Sequence, residues 1–292
     1  MPGRSGPVER AAGQRALSSP GRSPGKLSQQ RLRRAVLGPA ATGARDLWAA
    51  LDLVAETGST NEDLLAAARR GAGEGTVLVA ERQTRGRGRL GRSWTAAAGT
   101  SLTFSALLRP AAVAPARRGW LPLLAGVAVV AAVRATAAVD ASLKWPNDVL
   151  ASPGGGKLAG ILAEQAGDAV VIGIGMNVTA GANELPSPAA TSLALQGAAD
   201  TDRERLLVAI LAELGSWYRH FLAPPAGDAV RCGLRTEYLR LCSTIGREVR
   251  AELPGGTVLL GTAREVDEAG RLVVRTGSGT VPISAGDVLH VR

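Results

Sequence analysis

Gly86-Arg87-Gly88-Arg89-Leu90-Gly91-Arg92-Ser93-Trp94 places three glycines, three arginines and a tryptophan within nine residues. No acid occurs from Arg82 through Val139, so these arginines lack a local partner and are set to meet an anion from elsewhere. Glycine lets the backbone approach such an anion and present its N–H groups. Arginine's planar fork pairs with a carboxylate or phosphate at two points. The stretch also satisfies the Gly86-x-Gly88-x-x-Gly91 spacing of a dinucleotide-binding turn, but its context does not. A strand-like run, Ser101 to Leu108, follows where a helix is required, and no acid lies about 20 residues further on. A dinucleotide-binding turn is thereby excluded. Gly173-x-Gly175 has Val178 where the third glycine belongs. Gly155-Gly156-Lys157-Leu158 lacks the hydroxyl residue and, at Ala151, the first glycine of a phosphate-binding P-loop.

Outward from that loop, helix and strand signals do not alternate strictly, which predicts an α+β domain with a mixed sheet. Ser59 with Glu62 forms a capping-box signature before the apolar run Leu64 to Ala68, and Gly71 is a stop signal. Thr76 to Ala80, Ser101 to Leu108, Leu158 to Glu164 and Val170 to Val178 read as strands. Leu143 to Trp145 reads as a short strand ended by Pro146. Gly119 to Ala138 reads as a core helix, and Arg203 to Leu222 as a helix ending before Pro224-Pro225. After about Ser243 the texture changes to short strand-like runs between Gly-rich turns, a small all-β barrel.

The net charge of +9 is unevenly distributed. Residues 1–45 hold nine basic residues and one acid, while the rest carries 25 basic and 24 acidic groups, a net +1. A general nucleic-acid surface would make the folded body basic, so that class is disfavoured. Residues 1–35 are rich in Gly, Pro, Ser and Arg and are expected to be disordered. They also lack the apolar core of a secretory signal. Residues 36–242 are expected to form the main domain and 243–292 the β module. Apolar content of 46% supports a large core. The longest uncharged apolar run, Gly119 to Val133, is shorter than the ~20 residues of a membrane span. Cys232 and Cys242 support neither a disulfide framework nor, with only His220 and His290 besides, a metal site. This fits a reducing cytoplasm. Only three of the 34 cations are lysines, Lys26, Lys144 and Lys157, which singles them out.

Four segments together are more specific than any alone. They are Gly58-Ser59-Thr60-Asn61; Gln83 with Gly86 to Trp94; Lys144-Trp145-Pro146-Asn147-Asp148; and Gly156-Lys157-Leu158-Ala159-Gly160-Ile161-Leu162-x-Glu164. Their order and spacing resemble the biotin–protein ligases over roughly residues 50–292, continuing through Gly173 to Asn177 and the β module. The resemblance implies a catalytic domain like that of class II aminoacyl-tRNA synthetases, followed by an SH3-like β-barrel. It implies a two-step reaction in which ATP activates biotin as biotinyl-5′-adenylate and a lysine of a biotin carboxyl carrier protein or domain then takes the biotin.

It also implies roles for particular residues. Ser59, Thr60, Asn61 and Gln83 would read the ureido ring, with Gly86, Arg87, Gly88, Arg89, Lys144 and Gly160 completing the biotin site. Arg87, Arg89, Arg92, Trp94, Lys144 and Asn177 would serve ATP and the adenylate, Trp94 packing against adenine. Lys144 and Arg89 are the expected catalytic residues, a fixed ammonium at Lys144 stabilising charge at phosphorus. Lys157 would lie near the pocket or only flank it. Asp148 and Glu164 would order Mg2+, expected with ATP, or brace loops; no protein metal ligand is assigned. The loop should be mobile when empty and order over its ligand, shielding the mixed anhydride from water. Many relatives carry a helix-turn-helix domain first, which needs about 60 residues; the low-complexity start here implies a monofunctional enzyme without operator binding. Monomer and homodimer both remain open. A lipoate or octanoyl ligase of the same fold, and a nucleic-acid module, are the competing readings.

Overall fold

The computed structural model describes residues 25–38, 46–253, 255–284 and 286–291. Its larger body is a mixed seven-stranded sheet in the order β1-β2-β3-β7-β6-β5-β4. The strands are β1 (Ala50–Thr57), β2 (Thr76–Gln83), β3 (Ser101–Leu108), β4 (Ala141–Lys144), β5 (Asp148–Ala151), β6 (Lys157–Ala166) and β7 (Ala169–Asn177). β1 pairs with β2 in parallel and the other neighbours are antiparallel. The central pair β3 and β7 is buried at every position because helices cover both faces. β7 reads as a nearly continuous apolar run, as a strand buried on both faces does, whereas β3 alternates Ser101, Thr103 and Ser105 with apolar neighbours.

One face carries α2 (Thr60–Arg69), packed on β2, β3, β6 and β7. The other carries α3 (Trp120–Ala137) and α4 (Arg203–Leu222), which pack on each other. α3 is apolar all round and mostly buried, as a helix enclosed by a sheet and a second helix must be. The stretch Pro115–Ala137 is long and apolar enough to cross a membrane, yet most of it lies inside this core. After α5 (Leu234–Leu241) comes a five-stranded antiparallel sheet in the order β11-β10-β9-β8-β12. Its strands are β8 (Glu248–Glu252), β9 (Val258–Val266), β10 (Leu272–Thr276), β11 (Gly279–Ile283) and β12 (Asp287–His290).

One expectation is corrected. The basic start was expected to be disordered through residue 35, but Gln29–Leu37 is a helix, α1, capped by Ser28 and packed on β1 and α4. Leu32 and Val36 are fully buried. Two apolar side chains at helical spacing suffice because the rest of the segment is held by charge. Arg31 pairs with Glu204 at 2.7 Å, and the Leu27 N–H donates to Glu81 at 2.8 Å. Arg33 pairs with Asp52 and also donates to the Leu51 carbonyl on the outer edge of β1. Part of the cationic excess credited to a free tail is thus neutralised by acids of the body. Residues 1–24 lie outside the described residues.

Candidate active site

The glycine–arginine loop folds as a short hairpin. The Trp94 N–H donates to the Gly86 carbonyl at 2.8 Å and the Gly88 N–H to the Arg92 carbonyl at 2.6 Å, with Arg87 bridged to Ser93. Its tip turns through Leu90 and Gly91, both at positive φ, and Leu90 stands 60% exposed. The hairpin covers a cleft of about 810 Å3 on the α2 face of the large sheet.

At one end of the cleft is a neutral polar wall supplied by the N-terminus of α2 and the strands beneath it. Ser59, Thr60 and Asn61 are almost fully buried. Ser59 caps α2 by accepting from the Glu62 N–H, while the Glu62 carboxylate turns to Arg87 at 3.1 Å. Gln83 Oε1 accepts from the Thr60 N–H at 2.8 Å and its hydroxyl at 3.0 Å. Ser105, buried on β3 and not anticipated from the sequence, contacts Thr60 Oγ1 at 2.7 Å and Asn61 Oδ1 at 2.6 Å. Inward alternation along β3 was the only signal that could have found it.

The floor depends on missing side chains. A Cβ at Gly175 would lie 2.3 Å from the Trp94 ring, and one at Gly173 would lie 2.2 Å from Asn61 Oδ1. Trp94 therefore lies flat against the sheet, also close to Gly160, and its buried Nε1 has no hydrogen-bond partner.

The other end is cationic. Lys157 lines the cleft, pairs with Asp148 at 2.6 Å and sits 6.0 Å from the Trp94 ring centroid. Arg89 donates to Asn147 Oδ1 at 3.3 Å; burial lowers its pKa from the usual arginine range, against the opposing fields of Asp148 and Asp287. The other loop arginines find acids that are remote in sequence. Arg87 bridges Glu62 and Glu164, and Arg92 pairs with Asp287 of β12. Gly286 and Asp287 line the cleft, so the C-terminal sheet closes one side of it.

The cleft thus brings together Ser59, Thr60, Asn61, Gln83, Arg87, Gly88, Arg89, Arg92, Trp94 and Gly160. Three expected residues are not among those lining it: Gly86, Lys144 and Asn177. Gly86 is buried at the base of the hairpin, paired with Trp94. Lys144 ends β4 directly opposite Asp148, in the cross-strand row that continues through Gly160 and Gly175 of the cleft floor, and its charge acts on Asp287 at the cleft edge and on His290. Asn177 shares the face of Gly173 and Gly175 but is roofed over, its amide donating to the carbonyls of Thr191 at 2.9 Å and Lys157 at 3.4 Å. Among the described residues no cluster of three metal-ligating side chains occurs.

Comparison with known proteins agrees with this architecture. Residues 57–177 match the Biotin/lipoate A/B protein ligase family and residues 244–291 the Biotin protein ligase C terminal domain. A biotin–[acetyl-CoA-carboxylase] ligase of Mycobacterium tuberculosis is 47% identical over 86% of this chain and 92% of its own length. A bifunctional ligase/repressor of Bacillus spizizenii is 32% identical over 91% of this chain and 80% of its own. The structure of the Aquifex aeolicus biotin protein ligase in complex with biotin and ATP superposes with a TM-score of 0.68 at 30% identity, covering 84% of this chain and all of that one. Fold and cleft define a ligase with a mixed-sheet catalytic domain and a small β module. The chain belongs to the biotin–protein ligase family.

Proposed function

We propose that this cleft performs both half-reactions of protein biotinylation. Biotin's carboxylate attacks the α-phosphorus of ATP, forming biotinyl-5′-adenylate and releasing pyrophosphate. The ε-amine of a lysine on a biotin carboxyl carrier protein or domain then attacks the acyl carbon, forming an amide and releasing AMP. The observation that carries the reading is the polarity of the cleft, neutral at the Ser59–Thr60–Asn61–Gln83 wall and cationic at Arg89 and Lys157. A ureido ring needs neutral donors and acceptors among apolar walls, whereas the carboxylate–phosphate junction needs fixed positive charge.

The phosphorus-side cations in this reading are Lys144 and Lys157, which flank Asp148: Lys157 lines the cleft and pairs with that carboxylate, and Lys144 stands opposite it on the same face of the sheet. Charge spreading over the non-bridging oxygens in the transition state is stabilised by an ammonium already in place. Trp94 offers a ring face and an unspent Nε1 donor to the adenine. Mg2+ would enter with the triphosphate, held mainly by phosphate oxygens as this ion prefers. The second half-reaction rests on the activated anhydride and on positioning.

α1, the helix that precedes β1 among the described residues, is packed into the ligase body, which supports an enzyme without sequence-specific DNA binding. The unpaired Cys232 and Cys242 support action in a reducing cytoplasm, as monomer or homodimer. The test is pyrophosphate release from ATP in the presence of biotin, lipoate or octanoate. Release with biotin alone is expected. Release only with lipoate would overturn the substrate, and release with none would overturn the adenylation.

A further inference from the structure

Glu164 stands outside the cleft lining yet connects its two parts. It lies on β6, its side chain 21% exposed, and its two oxygens have different partners. Oε2 accepts from Asn61 Nδ2 at 2.9 Å, and Oε1 faces Arg87 Nη2 at 3.4 Å. The second Asn61 amide hydrogen goes to the Leu162 carbonyl at 3.1 Å, and Asn61 Oδ1 accepts from Ser105 at 2.6 Å. The amide is thereby fixed in one orientation, and a hydrogen-bonded chain is complete when the Thr60 N–H donates to Gln83, the Thr60 hydroxyl to Ser105, Ser105 to Asn61 and Asn61 to Glu164. Its last member holds the hairpin by its arginine. Glu62 also holds Arg87, but its side chain is 40% exposed and sits at the rim of α2, where solvent and salt weaken the pair more.

We propose that Glu164 is a positioning residue that latches the Gly86–Trp94 hairpin over the bound adenylate, through Arg87, while orienting Asn61 in the biotin wall. This rests on the ligase reading above. The two duties separate by substitution. Glu164→Gln keeps a carbonyl acceptor for Asn61 and loses the charge that faces Arg87; Glu164→Ala loses both.

The experiment forms the adenylate on the full chain from biotin and ATP without carrier, then follows its dissociation into an excess of unlabelled biotin at low and high salt. Glu164→Gln is expected to form adenylate at close to the parent's rate, with an unchanged biotin KM, and to release it about tenfold faster, the scale of one partly buried charge pair. Its release should respond less to salt than the parent's, because a screenable pair has gone. Glu164→Ala should also raise the biotin KM. An adenylate lifetime and salt response equal to the parent's in Glu164→Gln would overturn the latch. So would a raised KM with unchanged lifetime, which would leave Glu164 acting on the wall alone. If Glu164→Gln did not fold, Glu164→Asp, which keeps the charge and shortens its reach to Arg87, takes its place and its adenylate lifetime is read in the same way. A parent that released no pyrophosphate with biotin would instead sink the ligase reading, a separate outcome.

Discussion

At the scale of single residues, Lys157 and Lys144 flank one carboxylate, Asp148. Both lie in segments typical of the family, and both stood out in a chain where arginine is the default cation. Lys157 opens β6 beside the Trp94 ring and is braced by Asp148, and Lys144 closes β4 opposite the same carboxylate. Lys144→Ala and Lys157→Ala should each lower the rate of adenylate formation on the order of 10²–10³ while still binding biotin. The pyrophosphate burst reads both, and a burst equal to the parent's in either variant would remove that lysine from the step. The Ser59–Thr60–Asn61 segment and the glycine–arginine motif were legible in the sequence because each is contiguous. Ser105 and the acid partners of the arginines were not, because β3 and β12 reach the cleft only through pairing that no local pattern encodes.

At the scale of elements, legibility followed apolar periodicity. The predicted core helix Gly119 to Ala138 is α3, and the strands expected at Ser101 to Leu108 and Val170 to Val178 are β3 and β7. α1 escaped notice because composition was averaged over a Gly- and Pro-rich start, so the spacing of Leu32 and Val36 was lost among arginines. α5 and β5 are short and were not anticipated. Their apolar positions are too few to give a period, and packing against α3 selects their structure. If α1 belongs to the folded body, Leu32→Ala should destabilise it by about 2–5 kcal/mol, measured as a lower urea midpoint at unchanged slope. A midpoint equal to the parent's would return α1 to the tail. In the neighbouring Arg203–Glu81 pair, at 2.7 Å, the nearly inaccessible Arg203 also donates to the Gly25 and Ser101 carbonyls, joining α1's approach to the start of β3.

At the scale of the whole molecule, the β module is part of the site rather than an appendage. Trp120 and Trp145 donate their indole N–H groups to the Glu268 and Gly270 carbonyls, Thr244 Oγ1 accepts from the Trp145 N–H, and Arg92 pairs with Asp287. His290 belongs to the same junction, 3.1 Å from Thr244 Oγ1. Burial first, then the charges of Lys144 and Arg247, depress its pKa from 6.5 to about 4. The folded chain therefore binds that proton less readily than the unfolded one. The corresponding stability is fully present above pH 6.5 and is lost as pH falls towards about 4. Urea unfolding across that window should show a decline that is shallower in His290→Asn, which cannot titrate; equal declines would remove His290 from the account.

The sequence by itself determined the chemistry's vocabulary. It set the excluded nucleotide folds, the α+β class, the ligase motifs and the neutral and cationic residues of the cleft, because each is written in contiguous residues or in a period of two or 3.6. Only the tertiary structure decided that Lys144 and Lys157 meet at Asp148, which acids hold the arginines, that α1 is built into the body, and that β12 closes the site. Those facts depend on side-chain direction and on pairing between strands far apart in the chain, where the energy comes from contacts that exist only once the sheet and its two faces are assembled.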